Sequence, residues 1–453
     1  MRRAFLLLIT LTVLGIDGCT GFSKDGGFDA VADAARQRLA ADIEWPRTSQ
    51  ERAKAETQVA ALLGHPLTAE DAVQIALLNN RMLQGAFEEL GISEADLVQA
   101  GRLPNPRFDL RHASAAGQYD IEETLSFNVL SLLTIPYARD IARQRFTQAQ
   151  RIAVLRAALL ARDTREAYYA AVAARESRNY REQVRAAAET GATLAQRMVA
   201  SGNWNQLDQA REQNFYLDAV QGATRAELAD AGAREKLIAA MGLPGEKSAT
   251  LDLQLAASLP DLPASLESLS DVESELLQKR LDLQLMRLRM DELQRSLKLT
   301  RSTRFINVLD AGATRVQQGS RDAPYERGYT ITLEVPIFDS GAARVKKSEA
   351  IYAQAVDRFT QAAIEARSQI RLGYANYRTA FELARQQRDA LPLRKAIAQE
   401  NLLRYNASQI SIFELLSGAA AQAADFDGYI QRLRDFWIAK SQLDAALLGD
   451  GAP

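Results

Sequence analysis

The chain is 453 residues long, enough for two or three ordinary domains, and its net charge of −2 argues against nucleic acid as a main partner. One cysteine allows no internal disulfide, and two histidines, His65 and His112, are too few for a protein-only zinc site. Aromatic residues make up only 7% while Ala, Leu, Gln, Arg and Glu fill long stretches, a composition of long helices and coiled coils rather than of a compact enzyme.

The N-terminus reads as an export signal. Arg2 and Arg3 precede an apolar run over residues 4–16, short for a membrane span but suited to the core of a secretory leader. Residues 1–18 are therefore predicted as a signal peptide. Cys19, after Gly18, is predicted as a lipidation site of the bacterial lipoprotein kind, although Asp17 stands where a small residue is usual. Residues 19–65, with Trp45-Pro46, form an N-terminal extension of poor periodicity that precedes the repeat described next. No later stretch is apolar enough for a transmembrane helix, so any membrane crossing must use strands.

From residue 66 the chain is written twice, as repeats over 66–247 and 248–449. Each half opens on a capping pattern, Thr68 with Asp71 and Ser270 with Glu273, and each first helix is predicted to run about 32 residues. The hydrophobic period then changes from 3.6 to 2. Phe108 and Leu110 alternate with polar neighbours, as do Leu125, Phe127 and Val129, and Tyr329, Ile331, Leu333 and Val335. This predicts one β-hairpin per half, over 106–131 and 304–336, with strands of about 9–11 residues, the length that crosses an outer membrane at a tilt. Polar loops are expected at 114–120 and 317–327. Pro136 and Pro336 are read as the first positions of the helices that follow. Long helix pairs are then predicted over 136–241 and 341–448, each rod about 65 residues, or roughly 100 Å. The rods break at 201–205 and 406–411, where Ser411 and Glu414 form another capping pattern. Residues 243–266 read as a linker over the outside of the bundle.

Four membrane strands cannot close a barrel, so the chain has to oligomerise through them. Two copies give eight strands and a filled interior; three give twelve and room for water, so a homotrimer is predicted. Leu125, Phe127, Val129, Tyr329, Ile331, Leu333 and Val335 would face lipid. Thr124, Ser126, Asn128, Thr330, Thr332 and Glu334 would line the lumen. The fold class is thus mainly α with a small β part: long antiparallel helical rods plus four strands per subunit. Alanine pairs such as Ala157-Ala158 and Ala362-Ala363 suit close helix approach in a hollow tube, and alanine is also simply the best helix former.

These residues resemble the TolC family of outer-membrane efflux proteins. The resemblance rests on Leu67-Thr68 with Asp71-Ala72 and Asn79-Asn80, on Leu103-Pro104-Asn105-Pro106, on the run from Leu333 through Pro336 to Gly341, and on Tyr405 with Ile410-Ser411. It covers roughly residues 66–449. It implies a trimer with a twelve-stranded barrel in the outer membrane of a Gram-negative bacterium and an α-helical tunnel in the periplasm. It also implies docking to a periplasmic adaptor protein and an inner-membrane pump, and a closed iris at the periplasmic tip. On that resemblance Tyr405 matches the gate tyrosine and Glu414 a ring carboxylate, with Asp208 as the first-half counterpart of Glu414. Ile410 and Ser417 depart from the pattern, standing where some members carry a gate arginine and a second carboxylate. Ser408 replaces the usual glycine, at a cost of about 1 kcal/mol if left-handed. Glu414 can equally serve only as the capping partner of Ser411.

No phosphate loop, His-Glu-x-x-His or Gly-x-Ser-x-Gly is present, and no catalytic, cofactor or metal residue is assigned. The reading is a passive exit duct; the alternative is an exported coiled-coil scaffold or adhesin without a pore. Six Met, two His and one Cys offer no soft-ligand ladder for copper or silver, and the sequence is silent on cargo.

Overall fold

The computed structural model describes residues 21–39, 41–243, 253–266, 277–320 and 322–449. Two short helices, α1 (Phe28–Leu39) and α2 (Ser49–Leu63), precede α3 (Ala69–Asn79) and α4 (Arg81–Ala100). The hairpin β1 (Arg107–Ala115) and β2 (Gln118–Asn128) leads into the rod α5 (Val129–Ala200) and its return helix α6 (Gln206–Met241). The second half repeats this as α7 (Leu281–Ser302), β3 (Leu309–Gly319), β4 (Glu326–Leu333), the rod α8 (Ala342–Asn406) and the return α9 (Ile412–Leu448). Signal peptide, Cys19 and the expected cap of Ser270 and Glu273 lie outside the described residues.

The rods have 72 and 65 residues, about 108 and 98 Å at 1.5 Å per residue. Each lies antiparallel to its return helix, and α5 also packs on α9, α7, α4, α3 and α1. The four strands form one antiparallel sheet in the order β1-β2-β3-β4, so β1 and β4 are its edges.

Several boundaries differ from the sequence reading. The predicted 32-residue first helix is two helices, because Asn80 leaves helical geometry (φ −67°, ψ 118°) and its Oδ1 accepts from the amides of Met82 and Leu83. Pro136 does not start a rod: Asn128 caps α5 upstream, its Oδ1 accepting from Ser131 N at 2.6 Å, and the proline sits inside the helix. Pro336 lies between β4 and the Gly341 cap of α8, again not at a first helical position. Pro392 lies within α8, where it lacks the amide that would complete a helical hydrogen bond. Strand β3 starts at Leu309 rather than near residue 304, because Arg344 pins the segment before it through Arg304 O and Asn307 Oδ1. Val129 belongs to α5, while Glu334 and Val335 follow β4. The first hairpin turns tightly on Ala116 and Gly117, both at positive φ.

Each half is closed on itself at its helix break, in the same way but by different chemistry. Gly242, at φ +68°, ends α6 against the Asn79-Asn80 break; Asn80 Nδ2 donates to Ala240 O at 3.0 Å and Asn79 Nδ2 to Gly242 O. A Cβ at Gly242 would lie 2.8 Å from Asn80 Cα, so only glycine fits. In the second half the break is Arg280. Its fully buried guanidinium donates to Ala446 O at the end of α9, to both Asp282 oxygens and to Gln369 Oε1. Tyr168, Leu237, Met241, Tyr377, Phe436 and their neighbours form one apolar core of the bundle.

The described part of the linker, residues 253–266, belongs to this core rather than to an outer strap. Leu253, Leu255, Leu259 and Leu262 are buried in it, and Leu67 N donates to Gln254 O at 2.7 Å. The N-terminal extension is also packed. Phe28, Trp45 and Phe87 form an aromatic cluster between α1 and α4, and Gln150 Nε2 donates to Gly27 O at 2.9 Å.

Replacing Arg280 with Met should leave the buried Asp282 carboxylate without its cation and destabilise the bundle by about 3–5 kcal/mol. The readout is an earlier thermal transition of the helical circular-dichroism signal. An unchanged transition would remove the locking role.

Candidate functional site

The sheet has two chemically different faces, set by strand register. One face carries the rows Leu309–Leu333, Phe127–Ala311–Ile331 and Phe108–Leu125–Ala313–Tyr329. No described residue covers them: Tyr329 is 83% exposed, Ile331 64% and Phe108 63%. The opposite face carries Ser126, Gly312 and Thr330 with Arg107, then Thr124 and Thr314 with Asp109, then Asn128, Asp310 and Thr332. Thr124, Thr314 and Thr330 join hydroxyls across three strands at 2.6 and 3.0 Å. The expected lipid and lumen sets within the strands therefore fall on separate faces. Both edge strands are exposed along their whole length. Among the described residues no helix is long and apolar enough to cross a membrane.

At the far end of the rods the two turns are geometric copies. Gly202 (φ +78°) and Ser408 (φ +59°) occupy the same left-handed position. Asn203 N donates to Met198 O and Gln409 N to Arg404 O, the pairing of a left-handed helix end. Asn205 Oδ1 then accepts from Asp208 N at 2.8 Å, as Ser411 Oγ accepts from Glu414 N at 3.2 Å. Glu414 completes a capping box by accepting from Ser411 N, while Asp208 accepts from Asn205 Nδ2 and Arg211. Asp208 and Glu414 are thus equivalent positions in the first turns of the two return helices. Tyr405 sits one turn before the second break, half-buried, and no hydrogen bond or ion pair among the described residues joins it to either carboxylate.

Sequence reasoning missed a residue close to this end. Glu212 on α6 is only 2% exposed, and neither of its carboxyl oxygens has a hydrogen-bond partner. The side chain lies against Gly191 of α5, where any Cβ would collide with it. Burial pushes its carboxyl above the usual carboxylate range. The available signal was Gly191 itself, a glycine inside a rod with no turn to make.

No protein-family model and no curated protein matches the chain. Solved structures do. The chain superposes on the outer-membrane channel OprN over 92% of its own length and 95% of that chain, with a TM-score of 0.71 at 17% identity. For the CmeC outer membrane channel of Campylobacter jejuni the shares are 90% and 89%, the TM-score 0.71 and the identity 13%. For the open state of the Neisseria gonorrhoeae MtrE outer membrane channel they are 84%, 89%, 0.68 and 15%. At such identities the shared property is the fold. The chain has the outer-membrane channel fold, mainly helical with a four-stranded sheet.

Two measurements follow from the tip. Ser408→Gly should stabilise the second turn by about 1 kcal/mol, because glycine adopts the left-handed position without a Cβ clash; hydrogen exchange across residues 404–411 should slow. For Glu212, the folded state holds its proton more tightly than the unfolded state, so its contribution to stability falls as pH rises from the ordinary Glu range through the raised value. Glu212→Gln should therefore protect the α5–α6 end by about 1–3 kcal/mol at pH 8 and make little difference at pH 4. Equal hydrogen exchange in variant and wild type at pH 8 would refute this.

Proposed function

We propose that the chain is one subunit of a homotrimeric exit duct in the outer membrane of a Gram-negative bacterium. The observation that carries this is a four-stranded sheet with a bare apolar face, a polar opposite face and two open edges. Three copies joining β4 to β1 give 3 × 4 = 12 strands and leave no edge in lipid. The polar face then lines a wet bore. Each rod follows its hairpin closely, α5 without a linker, so the helices of three subunits extend the bore as a tunnel on the periplasmic side. The resemblance to the TolC family and the outer-membrane channel fold both support this reading. The duct holds no reaction chemistry: solute passes through, and energy and cargo choice reside in an inner-membrane pump reached through a periplasmic adaptor at the helical tips.

The proposed lipid on Cys19 is compatible with where the extension starts. Ser23 N donates to Glu94 Oε1 at 2.6 Å, near the barrel end of α4. Four residues span at most about 14 Å, which bounds the distance from Ser23 to the proposed lipid on Cys19.

At the tips, three copies of Glu414 would ring the entrance, with Asp208 behind them and Tyr405 one turn away. Such a ring attracts cations and repels anions. The polar face of the sheet adds to this bias, with Asp109, Asp120, Glu122, Asp310 and Glu326 against Arg107 and Arg111.

Purified protein in a planar bilayer should give single-channel current, and cross-linking should give a trimer. A trimer-free preparation without current would favour the pore-free scaffold instead. Glu414→Gln should lower the cation-to-anion permeability ratio; an unchanged ratio would leave Glu414 as a helix cap alone.

A further inference from the structure

The apolar face of the sheet ends abruptly towards the hairpin tips. The row after Phe108–Leu125–Ala313–Tyr329 is Leu110–Glu123–Arg315–Arg327, on the same face. Arg315 and Arg327 are direct cross-strand partners, an arrangement that is unfavourable for two like charges unless an anion lies between or over them. The row contains one carboxylate, Glu123, and it pairs with Arg315. Among the described residues Arg327 has no carboxylate partner, which leaves one surplus positive charge per subunit. Tyrosines frame the row: the Arg315 guanidinium lies 4.5 Å over the Tyr325 ring, and Tyr329 is immediately below. Beyond it comes the row His112–Ile121–Gln317, with Tyr119 at the tip.

The level of this row in a membrane follows from the strand itself. Leu333 to Arg327 is about 20 Å along the strand, or roughly 16 Å of bilayer height at a 40° tilt. The apolar rows end at this level, so on the barrel reading the arginines sit where the lipid-facing band gives way to polar groups on the side away from the helices. Resting on the barrel reading above, we propose that Arg315 and Arg327 form an outward-facing binding site for the phosphate of an anionic lipid headgroup in the outer leaflet. Guanidinium groups suit this role because their forked donors match phosphate oxygens. The tyrosines supply the amphipathic belt found at such a level. A phosphate across the pair would relieve the like-charge contact that the bare sheet carries.

The test uses the full chain as a detergent-purified trimer titrated with lipid A bearing two phosphates, with dephosphorylated lipid A as control, and bound lipid counted by native mass spectrometry. Wild type should bind the phosphorylated lipid about tenfold more tightly than the dephosphorylated one. Arg315→Gln with Arg327→Gln should abolish that preference, and Arg315→Lys with Arg327→Lys should keep most of it. Wild type binding both lipids equally, or the double Gln variant retaining the preference, overturns the site. Single-channel current recorded on the same samples separates the two readings. Current without phosphate preference removes only the lipid site; absence of trimer and current in the wild type removes the duct and this site with it.

Discussion

The unpaired amides and carbonyls along β1 and β4 set the terms for the whole molecule. In hydrocarbon each such group costs several kcal/mol, and among the described residues no strand pairs with either edge. A single subunit therefore has no acceptable state in a bilayer, whereas a closed ring of subunits has one. The same requirement explains the helices. Asn128 ends β2 and caps α5 in the same residue, so the rod leaves the sheet without a linker and its direction is tied to that of the strands. A barrel closed by three copies would carry its helices round as a continuous wall.

The wall is held by two equivalent joints built from unlike residues. In one half, a pair of asparagine amides satisfies the last carbonyls of α6; in the other, a buried guanidinium held by Asp282 does the same for α9. The free carbonyls of a helix end demand donors, and either chemistry supplies them. The asparagine joint leaves no buried charge. The arginine joint needs Asp282 and Gln369 in place, which makes it the more sensitive of the two to substitution.

Near the far ends of the rods the halves differ again. Gly191 on α5 makes room for Glu212 on the return helix, whereas in the second half Gly418 on the return helix makes room for Asn401 on the rod. A glycine faces a longer polar side chain in both, on opposite helices, which keeps the helices close. Only the first half thereby buries an unpartnered carboxylate. Ser408 in a left-handed turn adds strain to the second half that Gly202 spares the first. The two halves of one subunit thus differ at the far ends of the rods in stability and in response to pH.

Periodicity in the sequence determined the duplicated plan, the hairpins and the two rods, because a helix stripe and an alternating strand are local patterns that burial on one face imposes. Composition and the count of strands per chain likewise determined that a membrane form must be shared among copies. Boundaries were another matter. Asn80 breaks a helix, and Asn128 overrides Pro136 as the start of α5, because side-chain hydrogen bonds to particular amides outweigh propensity there. The buried linker leucines, the Arg280 joint and the partnerless Glu212 depend on groups some 20–190 residues apart in sequence meeting in space. Only the tertiary structure decides such meetings, since the free energy of a buried polar group is set by its neighbours and not by its own place in the chain.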